Sequence, residues 1–101
     1  MLEGQVVYFD DTVRDASGNW VGGTWLGRDV ASRIAKYFED KDFARKDSSE
    51  LGKWVTNAIS SEQCLGSVLV FAQDVAPREV FDEFSPNARI RQYLDNGGTI
   101  L

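Results

Sequence analysis

The sequence predicts an α/β domain, a doubly wound and mainly parallel sheet held between helices in three layers. The apolar runs Gln5-Val-Val-Tyr-Phe-Asp-Asp11 and Ser67-Val-Leu-Val-Phe-Ala-Gln-Asp74 read as buried strands, because a strand covered by helices on both faces is apolar throughout. Stretches between and after them carry apolar residues at three- and four-residue steps, the period of an amphipathic helix. Both runs also finish in carboxylates. In open parallel sheets the ligand crevice lies at the carboxyl ends of the strands, so a site is expected around Asp10, Asp11 and Asp74.

After Asp11 comes a long loop over residues 12–24, with turn signals at Ser17-Gly-Asn19 and Gly22-Gly23. Connections of this type usually need only about two to six residues, and longer ones tend to be functional or mobile. Trp20 and Val21 interrupt the polarity of the loop, so part of it is expected to fold back onto the body. A helix is predicted from about Trp25 to Asp40, with Thr24 as N-cap and Leu26, Val30, Ile34, Tyr37 and Phe38 as its apolar stripe. Residues 42–46 read as a short edge strand, where Arg45 and Lys46 would protect exposed backbone.

Asp47-Ser-Ser-Glu50 has capping-box spacing, with Asp in place of the usual Ser or Thr. It starts a second helix carrying Leu51, Trp54, Val55, Ala58 and Ile59 on one face. Cys64-Leu-Gly66 leads into the central strand. A helical turn is expected from Pro77 to Glu83. Ser85-Pro86 then opens a helix bearing Ile90, Tyr93 and Leu94, which Gly97-Gly98 ends. Thr99-Ile-Leu101 is a last strand. The order β-α-β-α-β-α-β gives a flavodoxin-like sheet with strand order 2-1-3-4. One domain is expected over residues 1–101. Its last strand is short beside the usual length of about five or six residues, which suggests a fragment of a longer protein or an edge completed by another subunit.

Composition narrows the function. Hydrophobic residues make up 43% and aromatics 12% of 101 residues, enough bulk to fill one core. The net charge of −5, with basic residues scattered among acids, argues against nucleic acid as a partner, which calls for a clustered basic face. No apolar run approaches the roughly 20 residues that span a bilayer, and the N-terminus lacks a signal-peptide pattern. A cytoplasmic protein without a membrane partner is expected. Cys64 is the single cysteine and there is no histidine. That removes the Ser-His and Cys-His nucleophile pairs and the usual ligands of a structural zinc, so no cofactor or metal is expected.

Asp10, Asp11 and Asp74 resemble the acidic pocket of receiver domains, in which paired acids hold magnesium and an aspartate after the third strand accepts a phosphoryl group. Hard oxygen ligands suit that chemistry. However, the first loop is too long and no lysine follows a fifth strand. The same acids also serve as plain caps after strands. Phe9-Asp10-Asp11-Thr12-Val13 resembles the haloacid-dehalogenase signature, but its acids are adjacent where that motif sets them two apart, which excludes it. Gly18, Gly22, Gly23 and Gly27 lack the Lys-Ser/Thr of a phosphate loop and read as turn and packing residues. Cys64 lacks a base and reads as structural. Trp54 belongs to a helix face, and Trp20 is the tryptophan expected to touch a ligand or partner.

Four stretches together resemble the amino-terminal part of class I glutamine amidotransferase-like domains, including the ThuA-like group. They are residues 6–11, 30–38, 67–74 and 90–101, the last with a helix ending in Gly97-Gly98 ahead of a strand. Active members of that family carry a Gly-x-Cys-x-Gly elbow and a later histidine. Neither occurs here, so the resemblance implies a catalytically silent or truncated domain with no catalytic residue to assign.

The expected function is a non-catalytic module within a regulatory or signalling protein that binds a protein partner or a small molecule. Asp10, Asp11, Trp20 and Asp74 are its candidate contacts, and the edge at Thr99 to Leu101 is a surface for homo-oligomer formation. The alternatives are a magnesium-dependent receiver-like phosphoacceptor and an incomplete amidotransferase-like enzyme domain.

Overall fold

The computed structural model describes residues 4–23, 27–73, 75, 77, 79–80 and 88–101. Four parallel strands form one sheet: β1 (Gln5–Tyr8), β2 (Ala44–Lys46), β3 (Val68–Phe71) and β4 (Thr99–Ile100), in the order β2-β1-β3-β4. Among the described residues three helices connect them: α1 (Arg28–Glu39), α2 (Ser48–Ser60) and α3 (Arg89–Asp95). This is the flavodoxin-like topology that the sequence predicts. No helix of the described residues is long and apolar enough to cross a membrane.

Alternation along β1 and β3 divides the core in two, since successive strand residues point to opposite faces. Val6, Tyr8 and Leu69 pack with Leu51, Trp54, Val55 and Ala58 of α2 and with Ile90 and Tyr93 of α3. Val7, Phe9, Val70 and Ala72 face the other way onto Ala31 and Ala35 of α1, with Ile34 and Phe38 beside them. Cys64 is buried on the α2/α3 side, and burial pushes its thiol pKa up.

Helix α1 departs from the sequence expectation. It starts at Arg28 behind an extended Gly27 that makes no side-chain cap, whereas Thr24, Trp25 and Leu26 lie outside the described residues. Its buried stripe runs through Ala31 and Ala35, leaving Val30 and Tyr37 exposed. The small alanines let the helix lie close on the sheet, and the larger side chains flank that contact. Strand β2 begins at Ala44, two residues later than the sequence suggests.

The termini of α2 and α3 follow their local chemistry. At the start of α2 the capping box is complete: Glu50 N–H donates to Asp47 Oδ1 at 2.9 Å and Asp47 N–H donates to Glu50 Oε1 at 3.1 Å. Helix α3 ends in a Schellman turn, with Gly98 N–H donating to Tyr93 O and Gly97 N–H to Leu94 O, both at 3.0 Å. Gly97 has φ +99, and a Cβ on Gly98 would lie 2.3 Å from the Tyr93 ring, so each glycine is required for its own reason. Helix α2 closes with the same pattern, Gln63 N–H to Ala58 O and Glu62 N–H to Ile59 O. There the left-handed position is held by Glu62 at φ 55.

Candidate functional site

Strands β1 and β3 pair from Gln5↔Val68 to Tyr8↔Phe71, so they finish level. Ala72 N–H still donates to Tyr8 O at 3.0 Å. One step further on, the backbone pairing is replaced: Asp10 N–H donates to the side-chain Oε1 of Gln73 at 2.8 Å. The chains part here because β1 leads towards α1 and β2 on one side, while β3 leads towards α3 and β4 on the other. This is the topological switch point, where open α/β sheets bind ligands.

A crevice of about 460 Å³ opens at this point, within the range of small-molecule sites. Tyr8, Asp10 and Thr12 contribute polar groups from the β1 side, Ser48 from the start of α2, and Gln73 and Glu79 from the β3 side. Val13, Val21, Val75 and Pro77 add apolar lining. A second, more open groove of about 510 Å³ follows the outer face of α2, past Ser49, Lys53, Thr56 and Asn57. It shares Glu79 with the crevice.

Asp10 is the hub of the crevice. Its side chain is buried, with 4% of the residue exposed, and each carboxylate oxygen receives two hydrogen bonds. Thr12 N–H and Oγ1–H donate to Oδ1 at 2.8 and 2.5 Å. Ser48 N–H and Oγ–H donate to Oδ2 at 3.0 and 2.5 Å. Burial alone would raise the pKa, but these donors outweigh it and lower the carboxyl to about 2. The positive end of α2 acts in the same direction through the Ser48 amide.

The network continues through Tyr8, whose hydroxyl is 2.9 Å from Ser48 Oγ. Ser48 has a single hydroxyl proton and gives it to Asp10, so Tyr8 is the donor in this pair. The Tyr8 oxygen in turn accepts from Gln73 Nε2 at 3.3 Å. Burial, and then the nearby negative charges of Asp10, Glu79 and Asp47, raise the Tyr8 phenol to about 12. Gln73 also donates to Val75 O at 3.3 Å.

Adjacent residues diverge, and Asp11 does so from Asp10. Asp11 is half-exposed and held by two arginines: Arg14 Nη2 lies 2.8 Å from Oδ1, and Arg28 grips both oxygens through Nε and Nη2. The Arg28 hydrogen bond is the main reason its carboxyl is lowered. All four acceptor positions of Asp10 are used, Asp11 points at arginines, and no group of three His, Cys, Asp or Glu among the described residues is arranged around a metal. Asp74 lies outside the described residues.

The long loop is built rather than loose. Arg14 and Trp20 form an antiparallel bridge, Val21 N–H bonds Val13 O at 2.9 Å, and Asp15 Oδ1 receives the amides of Ser17 and Asn19. Trp20 packs on Phe9 with ring centroids 6.0 Å apart, and its indole N–H donates to Asp10 O at 2.9 Å. The indole is not among the described residues that line the crevice. Of the four candidate contacts Asp10, Asp11, Trp20 and Asp74, Asp10 is the one that the described residues place in the crevice. Tyr8, Thr12, Ser48 and Gln73 were missed. Gln73 carried a usable signal, because an amide within an otherwise buried run needs partners.

The sequence profile of the MJECL34 family matches residues 6–101, which takes in the sheet apart from Gln5, the first residue of β1. The chain belongs to the MJECL34 family. No curated protein and no solved structure gives a match. In this MJECL34 domain the matched span includes both arms of the crevice, from Tyr8 to Glu79.

Proposed function

We propose that this MJECL34 domain is a non-catalytic binding module that serves regulation or signalling by taking a small molecule, or a side chain of a partner, in the crevice between β1 and β3. The observation that carries this reading is the saturated Asp10 at the floor of a cavity at the switch point. A carboxylate lowered to about 2 is too weak a base to activate Ser48 or Thr12. The four hydrogen bonds that lower it also fix the shape of the floor. Such a site is suited to recognition and poorly suited to proton transfer. It offers no vacant carboxylate oxygen to magnesium, which weighs against the receiver-like alternative.

An amidotransferase-like ancestry is part of the proposal. The strand order 2-1-3-4 and the Gly97-Gly98 end of α3 ahead of β4 support it. The absence from the sequence of histidine and of a Gly-x-Cys-x-Gly elbow agrees with binding in place of catalysis. The outermost strand β4, followed by an exposed Leu101, stays the proposed surface for a second copy.

The test is equilibrium dialysis of the protein against a small-molecule extract, with mass spectrometry of what is retained. Val21 is 45% exposed on the crevice wall, so Val21→Trp fills the opening at little cost in stability. Wild type should retain compounds that Val21→Trp loses. Equal retention by both proteins, or none by either, would overturn the crevice as the binding site.

A further inference from the structure

The direction of the protons in the crevice identifies the kind of ligand it suits. Gln73 donates to Tyr8, Tyr8 to Ser48 and Ser48 to Asp10, while Thr12 donates to Asp10 from the other side. The second amide proton of Gln73 goes to Val75 O. Each hydroxyl and amide proton of these four side chains is therefore engaged within the protein, and what Thr12 Oγ1 and Ser48 Oγ have left for a ligand is lone pairs. The floor accepts hydrogen bonds and donates none from these side chains.

Charge points the same way. Asp10 and Glu79 are acidic, and no Lys or Arg is among the described lining residues. The anion-binding preference of the α2 N-terminus is already met by the carboxylates of Asp10 and Asp47. A phosphate would face lone pairs and two carboxylates. A sugar would satisfy its donors but leave its acceptor oxygens without partners, at a cost for each. An alkylammonium ion meets both demands, because it carries only donors and a positive charge. Val13, Val21, Val75 and Pro77 supply apolar wall for its carbon chain. The chain's net charge of −5 also favours the approach of a cation.

We propose that the crevice is a site for a small aliphatic amine in its ammonium form, held by Thr12 Oγ1, Ser48 Oγ and Glu79 with its carbon chain against Val21 and Val75. This inference rests on the crevice being the binding site.

The test is an amide NMR titration of the whole chain at constant ionic strength with four probes: 1,4-diaminobutane, tetramethylammonium, glucose and inorganic phosphate. Diaminobutane should shift the amides of Thr12, Ser48 and Gln73 saturably. Tetramethylammonium, which has the charge but no N–H, should bind about tenfold more weakly or worse. Glucose and phosphate should leave those amides in place. Glu79→Gln, which keeps the side-chain shape, should weaken diaminobutane by about tenfold.

Saturable binding of phosphate or glucose at the same amides would overturn the ammonium assignment and leave the crevice reading standing. Diaminobutane shifts scattered over exposed acids would also overturn it. So would the absence of any shift, and retention in dialysis by wild type but not by Val21→Trp would then locate the error in the ligand class alone.

Discussion

Replacing Asp10 by Asn probes the network at its hub, and the structure sets the size of the effect. The carboxyl moves from an ordinary 3.8 to about 2 on folding. A shift of that size corresponds to about 2 to 3 kcal/mol of stability held by the ionised form. Because Asp10 is only 4% exposed, solvent screening takes little of it away. The folded pKa is depressed, so this stability is fully present above the unfolded value near 3.8 and is lost as pH falls through about 2. Asn keeps the shape but turns an amide donor towards the donors of Ser48 or Thr12. Asp10→Asn should therefore cost about 2 to 4 kcal/mol at pH 7, lowering the melting temperature by about 10 to 20 °C. The gap to wild type should narrow between pH 5 and pH 2. Urea unfolding followed by circular dichroism at pH 7, 5, 4, 3 and 2 measures both quantities. A variant as stable as wild type at pH 7, or a gap that does not change with pH, would refute the reasoning.

The other two predictions concern backbone and packing. Glu62 ends α2 at φ 55, a region that costs a side-chain-bearing residue roughly 1 to 2 kcal/mol. Glu62→Gly should relieve that strain and, after the added freedom of glycine in the unfolded chain, raise stability by about 0.5 to 1 kcal/mol in thermal melts. A fall in melting temperature would contradict the assigned cap. Trp20→Ala removes the Phe9 contact and the bond to Asp10 O and should cost about 2 to 3 kcal/mol in denaturant unfolding. An unchanged midpoint would return Trp20 to the role of a ligand or partner contact.

What could be read from the sequence was whatever local chemistry decides. The unbroken apolar runs marked β1 and β3 because both faces of those strands are covered. Asp47 and Glu50 announced the start of α2 through their spacing alone, and Gly97-Gly98 announced the end of α3. Helix α1 was harder to read. Its large apolar residues suggested one stripe, but the contact that matters is made by Ala31 and Ala35, whose small size reads as weak hydrophobicity although it is what permits close approach. The crevice was legible in location and illegible in composition. Ser48 lies 38 residues from Asp10 and Gln73 lies 63 away, so neither spacing nor period links them. Trp20 stood out because it interrupts a polar loop, yet an indole that anchors a loop and one that greets a ligand look alike in a sequence.

The substitution of the Gln73 side chain for a rung of the sheet has a consequence for how such a site changes over time. Where two parallel strands separate, backbone geometry usually sets the gap. Here the reach of one amide side chain, bonded to Asp10 N–H, holds the fork open. The aperture is thus written in a single codon: a shorter amide would draw the two arms together, and an apolar residue would leave the Asp10 amide to find another partner. The span between the loops can be retuned in this way while the strand pairings below it, Gln5↔Val68 to Tyr8↔Phe71, stay as they are.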